Sequence, residues 1–215
     1  MRYRTMHAAL ALSAMAAACG GEPPAQEAET RPAVQTAAAP APSVCYLTGT
    51  MDEAKARPSP LAETTFTVGA LQATLCYGAP SAKGRQIMGG LVPFGDPWRL
   101  GANEATALHL NAMAMVGGVH LQPGSYSLYV IPTATEWTFF INSNFQRWGI
   151  PIDDAVRGTE VGSFIATPEP TTAPVETLTF HFEPSADGAA GDLVMEWEST
   201  RVKIAIVPMA APAGA

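Results

Sequence analysis

The sequence predicts an all-β domain: a single antiparallel β-sandwich, jelly-roll or immunoglobulin-like, with few or no helices. Three observations predict it. Segment after segment alternates apolar and polar residues with period two, the repeat of a half-buried strand. Gly, Pro, Asn or Asp stand between those segments, where hairpins need them. No stretch sustains a helical period. Strands in succession with turn residues between them are the pattern of a sandwich or barrel. The Cys…Trp…Cys spacing of a true immunoglobulin domain is missing.

The first residues read differently. Arg2 and Arg4 precede an apolar run, Ala8–Ala18, of signal-peptide length and too short to span a bilayer. The run ends Ala-Ala-Ala-Cys-Gly, and small residues directly before a cysteine resemble the bacterial lipobox. That resemblance implies a signal peptide over residues 1–18, cleavage before Cys19, diacylglycerol on its sulfur and acylation of its new amino group. Several acyl chains anchor far more firmly than one. The expected partner of Cys19 is therefore a lipid bilayer. The expected place is the bacterial cell envelope, lipid-anchored and facing the periplasm, at the outer membrane. Residues 19–43 are rich in Pro, Ala, Glu and Thr, with almost nothing large and apolar to bury, and read as a disordered tether. The folded domain is expected over residues 44–208, with a flexible tail at 209–215.

Nineteen acidic residues against twelve basic ones give a formal net charge of −7 at pH 7. Phosphate backbones need a basic face, so the balance argues against nucleic acid. It also offers no polybasic patch for anionic lipid. Of three cysteines, Cys45 and Cys76 remain once Cys19 is lipidated. Two thiols in an exported protein invite a disulfide, with two separately buried thiols as the alternative.

In chain order, the segment from Val44 to Pro60 is ambiguous. CYLTGT has the composition of a short strand, and Arg57-Pro58-Ser59-Pro60 stops regular structure. Thr64–Val68 alternates, with Phe66 and Val68 on one face. Gly69-Ala70 is a turn, and Leu71–Tyr77 returns as a strand, making a hairpin. Ala105–Asn111 reads as a strand, Val119 as the edge of a turn and Gln122-Pro123-Gly124 as a turn. Five further strands follow from their inward residues: Tyr126, Leu128 and Val130; Trp137, Phe139 and Ile141; Leu178, Phe180 and Phe182; Leu193, Met195 and Trp197; Val202, Ile204 and Ile206. Pro151–Arg157 is the best candidate for a short helix, since Asp153 and Asp154 suit a helix N-terminus.

Between the second and third strands lies Lys83–Thr106, KGRQIMGGLVPFGDPWRLGANEAT, which breaks both patterns. With YGAPSA before it, and LQPGSYSLYVIP, EWTFFIN and LVMEWESTRVKIAI after it, this run resembles the bacterial DUF2911 family, a domain of unknown function. The residues that carry the resemblance are Tyr77, Pro80, Lys83, Gly84, Arg85, Gly90, Val92, Pro93, Trp98, Arg99 and Gly101–Thr106. The resemblance extends from about Ser59 to Val207. It implies an exported β-rich domain and brings no activity, substrate or catalytic residue with it.

Loops of this length in a compact domain are functional or disordered. Ile87, Leu91, Val92, Phe94 and Trp98 supply too many apolar anchors for disorder. The candidate ligand-binding residues are Lys83, Arg85, Trp98, Arg99, Asn103 and Glu104. Arg99 can grip a carboxylate or phosphate as a fork. Trp98 offers a flat apolar face for sugars or cations. Glu104 has the chemistry of an acid/base group or a hydrogen-bond acceptor. The alternative is a plug in which Arg99 pairs with Glu104 merely to hold the loop on the sandwich. Asn142–Gly149, with Phe145, Arg147 and Trp148, either lines the same rim or caps the sandwich end.

No metal or cofactor is expected. His109, His120 and His181 lie on different segments, and His109 and His181 alternate with apolar neighbours, which points them to polar strand faces. No zinc, calcium, phosphate-loop, dinucleotide or serine-nucleophile motif occurs. The expected function is a non-catalytic envelope module that binds a small polar ligand, a glycan or a protein partner. The alternatives are an envelope hydrolase with Glu104 as acid/base, or a purely structural module. A glycosidase would need a second carboxylate, for which Asp96, Glu160 and Glu198 are the candidates.

Overall fold

Period-two alternation becomes strand almost everywhere it occurs. The computed structural model describes residues 45–210, which lie within one compact unit. Its elements are α1 (Met51–Ala56), β1 (Leu61–Val68), β2 (Leu71–Gly78), β3 (Ala102–Leu110), β4 (Ala114–Val116), β5 (Val119–Leu121), β6 (Gly124–Pro132), β7 (Trp137–Asn142), α2 (Asp154–Arg157), β8 (Glu160–Ala166), β9 (Glu169–Pro184) and β10 (Gly191–Pro208). The expected signal peptide, Cys19 and tether lie outside the described residues, as do residues 211–215 of the expected tail.

Two antiparallel sheets form, one ordered β1-β2-β3-β6-β7-β8 and the other β5-β4-β10-β9. The first is two three-strand meanders laid side by side at β3 and β6. The β4–β5 and β9–β10 hairpins build the second, with β10 beside β4. The sheets share one core. Phe66 stacks on Phe182 across it at 4.4 Å, and Tyr77 meets Phe180 edge-on at 4.7 Å. The inward residues read from the alternation are buried: Leu128 and Val130, Trp137, Phe139 and Ile141, Met195 and Trp197, Val202, Ile204 and Ile206. Each large apolar side chain removed from water contributes about 1.5–3 kcal/mol, so the register that buries all of them is strongly preferred.

Four local readings change. Residues 45–57 contain no strand; Thr50 instead opens α1 with a capping box, its side chain accepting from the Glu53 N–H while Glu53 reaches back to the Thr50 N–H. Val119 belongs to a three-residue strand rather than to a turn edge. Leu91 and Phe94 are 47% and 45% exposed, so the loop is anchored by Ile87, Val92 and Leu100 instead. His109 is buried, not on a solvated face, because the segment after β7 lays Phe145 against it, ring centroids 5.7 Å apart.

A disulfide joins Cys45 to Cys76 on β2, with a Cα–Cα distance of 5.7 Å and a sequence separation of 31. Closing a loop of that length removes about 3–4 kcal/mol of unfolded-state entropy. It ties the segment before β1 to the six-stranded sheet.

Candidate functional site

The loop from 79 to 101 is ordered by backbone pairing at both ends. At its start the Ala82 N–H donates to the Glu176 carbonyl at 2.7 Å, and the Leu178 N–H to the Pro80 carbonyl at 2.9 Å. At its end Trp98 and Val130 exchange two backbone bonds, 2.7 and 2.9 Å long. Strand β6 extends past its last partner on β3, the Thr106↔Leu128 pair. Trp98 occupies the position that β3 leaves open there. Between the ends, the chain turns tightly around Ile87 and Val92, and the Ile87 N–H reaches the Glu198 carboxylate at 3.2 Å. Lys83, Leu100 and Asn103 all take left-handed backbone angles, φ 52°, 59° and 65°. Such conformations are uncommon for residues with a side chain, and they concentrate where structure serves a site.

The loop leaves a cleft of ≈ 310 Å³. Arg85, Leu91, Trp98, Arg99, Ile150 and Trp197 are among its lining residues. Trp98 stacks on Trp197 at 5.8 Å and meets Trp137 edge-on at 6.1 Å, so its inner side is fixed in the core. Trp197 is fully buried, and its indole N–H finds no partner among the described residues. Arg99 is half-buried. Its Nε donates to the Gly101 carbonyl at 3.3 Å and one terminal nitrogen to the Asn103 carbonyl at 3.5 Å, both long. Burial pushes its pKa below the ordinary arginine value, and the nearby Glu104 charge acts against that shift. Arg85 folds back on the Ala82 and Ser81 carbonyls at 2.9 and 2.7 Å. Neither arginine forms an ion pair with a carboxylate among the described residues.

Of the six residues expected to bind ligand, the fold brings Arg85, Trp98 and Arg99 to this cleft. The other three lie elsewhere. Lys83 is exposed, its backbone N–H held by Glu176 at 2.8 Å. Asn103 donates its side-chain amide to the Ser59 carbonyl at 2.7 Å. Glu104 is buried, bound by both Arg57 and the Thr48 N–H. The supposed Arg99–Glu104 pair is therefore replaced by Arg57–Glu104, 2.7 Å apart. Asp96 is exposed on the loop, while Glu160 accepts from the Tyr129 hydroxyl and Glu198 from the Ile87 N–H. None of the three is a contact of Glu104. Among the described residues, no group of three His, Cys, Asp or Glu side chains is placed to hold a metal ion.

The family model described as a protein of unknown function, DUF2911, matches residues 59–206. The chain belongs to the DUF2911 family. No curated protein and no solved structure matches it. In this DUF2911 domain the segment after β7 completes the site. The Gly149 N–H donates to the Asn103 carbonyl at 2.8 Å, and Glu104 bridges to Trp148. That pairing sets Ile150 on the cleft wall, so the segment both caps His109 and lines the rim.

Arg57 and Ile150 were missed as participants from sequence. The Thr50-x-x-Glu53 capping box signalled α1, and with it a structured segment from which Arg57 reaches β3. Nothing local signalled Ile150, whose role depends on long-range pairing with β3.

Proposed function

We propose that this DUF2911 protein is a non-catalytic envelope module that binds a small polar ligand, a short glycan or a partner's side chain in the cleft beneath the 79–101 loop. One observation carries the reading. Two arginines without carboxylate partners among the described residues share a concave site with a rigidly backed tryptophan face. Few convergent polar groups on an apolar floor are the usual make-up of a small-molecule site. The lipobox-like sequence before Cys19 supports tethering to a bilayer, in the periplasm-facing envelope and at the outer membrane. The acidic overall charge disfavours nucleic acid as the partner.

The hydrolase reading finds no support at Glu104. A general acid needs a carboxyl whose pKa is raised towards neutrality. Burial pushes Glu104 up, but the bonds from Arg57 and Thr48 outweigh it and hold the carboxyl below its ordinary value. A fragment library titrated into the full-length protein, read by the indole N–H signals in NMR, tests the binding reading. Hits are expected to shift Trp98 and to lose that effect in Arg99→Gln. Hits that leave Trp98 untouched, or that bind the variant unchanged, would overturn it.

A further inference from the structure

We infer that the ligand of this cleft is a small amphiphilic oxyanion: a carboxylate or phosphate head held by Arg85 and Arg99, with a planar or aliphatic body on Trp98 between Leu91 and Ile150. The inference rests on the cleft being the binding site, and narrows what it binds.

Charge sets the sign. Acidic residues outnumber basic ones 19 to 12 in this chain, so an arginine has no shortage of carboxylates to pair with. Yet among the described residues the only charged ones lining the cleft are Arg85 and Arg99, and neither has an ion-pair partner there. The closest candidate, Glu104, is bound on both oxygens by Arg57. Guanidinium groups in this state match carboxylate and phosphate in shape as well as charge.

Exposure sets the rest. Leu91 and Ile150 are 47% and 53% exposed, and both line the cleft beside the arginines. Aliphatic side chains flanking two cations favour a ligand with an apolar part over a free inorganic ion. The volume, ≈ 310 Å³, lies at the small end of the range of roughly 300–1,000 Å³ for small-molecule sites. That suits a ligand the size of an aryl or short acyl acid.

Calorimetry and indole NMR on the full-length protein would use phenylacetate, phenyl phosphate, phenylacetamide, acetate and inorganic phosphate. One or both aryl anions are expected to shift Trp98 and to bind about tenfold or more tighter than the neutral amide and than the small ions. Which aryl anion binds tighter tells a carboxylate ligand from a phosphate. Arg85→Gln and Arg99→Gln should each weaken the aryl anions about tenfold and leave the amide unchanged. Equal binding of amide and acid at Trp98 would overturn the oxyanion inference and leave the cleft as a binding site. Tightest binding by inorganic phosphate or acetate would overturn the amphiphilic part. Failure of every probe and every library fragment to move Trp98 would overturn both.

Discussion

Arg57 donates to both oxygens of Glu104, at 2.9 and 2.7 Å, and so joins the segment before β1 to the start of β3. The Thr48 N–H adds a third bond to the same carboxylate at 2.8 Å, and Arg57 lies 5.6 Å from the ring centroid of Trp148. A single glutamate thus helps gather two separate stretches of chain, the segment before β1 and the segment after β7, around the strand that borders the cleft.

Breaking this pair should be costly. Arg57→Ala leaves a buried carboxylate short of its main partner, which costs about 3–5 kcal/mol when burial is complete. The two side chains here keep 20% and 11% of their exposure, so about 2–3 kcal/mol is the expected loss. Denaturant midpoints for Arg57→Ala, Glu104→Gln and the double variant provide the check. The double variant should lose clearly less than the two singles added together. Simple additivity would mean that the contact contributes nothing specific.

The same carboxylate makes stability depend on acid. Glu104 has a folded pKa below its ordinary 4.5, because the hydrogen bonds from Arg57 and Thr48 outweigh the upward push of burial. Its contribution is therefore complete above the unfolded value and disappears as pH falls through the lower folded value. Thermal midpoints measured downward from about pH 5 should fall more steeply in the wild type than in Glu104→Gln. Parallel curves would exclude Glu104 as a contributor.

His109 acts in the same sense at higher pH. Burial holds its pKa below the ordinary 6.5, and its Nε2 is buried without a partner among the described residues, while Nδ1 contacts the Ser125 hydroxyl at 2.8 Å. The unfolded chain takes up the proton first, so stability drops as pH falls from about 6.5 towards the folded value. His109→Gln should flatten the slope in that window. An NMR titration placing the His109 midpoint at or above 6.5 would contradict the argument.

The strands were legible because the property that forms them is local. Phe66 and Val68, or Trp137, Phe139 and Ile141, declare their face by period two alone, and the core buries them accordingly. The stretch Lys83–Thr106 was likewise visible as a long segment that breaks the strand pattern, and most of it is loop. What could not be read was which charge meets which. Arg99 stands five residues from Glu104, yet Glu104 pairs with Arg57, 47 residues away, because α1 and the Cys45–Cys76 disulfide bring that segment to β3. His109 misled for the same reason. Its polar strand face is covered by Phe145 from a later segment, and periodicity reports alternation but not what lies on top. Of the six candidate residues, Arg85, Trp98 and Arg99 therefore meet at one cleft, while Lys83, Asn103 and Glu104 go to other neighbours.

Tethering is tested at Cys19. If the lipobox-like sequence is processed, the wild-type protein fractionates with membranes and carries the mass of its acyl chains. Cys19→Ser should move it to the soluble fraction. A wild-type protein found soluble, with the mass of the unmodified chain, would remove the anchor from the proposal.

Arg99 should be dispensable for folding, unlike Arg57. Its bonds, at 3.3 and 3.5 Å, go to backbone carbonyls and are long, and no carboxylate among the described residues pairs with it. Exposed or weakly engaged charges contribute about 0–1 kcal/mol, so Arg99→Gln should shift the denaturant midpoint by no more than that. A side chain that adds little to the fold yet lines the cleft has the behaviour expected of a functional residue. Gly149→Ala provides the contrast. A Cβ at Gly149 would run into the Arg99 side chain and come within 2.9 Å of the Asn103 carbonyl, the acceptor of the Gly149 N–H. That change must displace Arg99 or break the backbone pairing that sets Ile150 on the cleft wall, at a cost of about 1–3 kcal/mol. Arg99→Gln should therefore lose ligand at nearly unchanged stability, whereas Gly149→Ala should lose both. A large stability loss in Arg99→Gln would return the loop to a structural plug and withdraw Arg99 from the binding site.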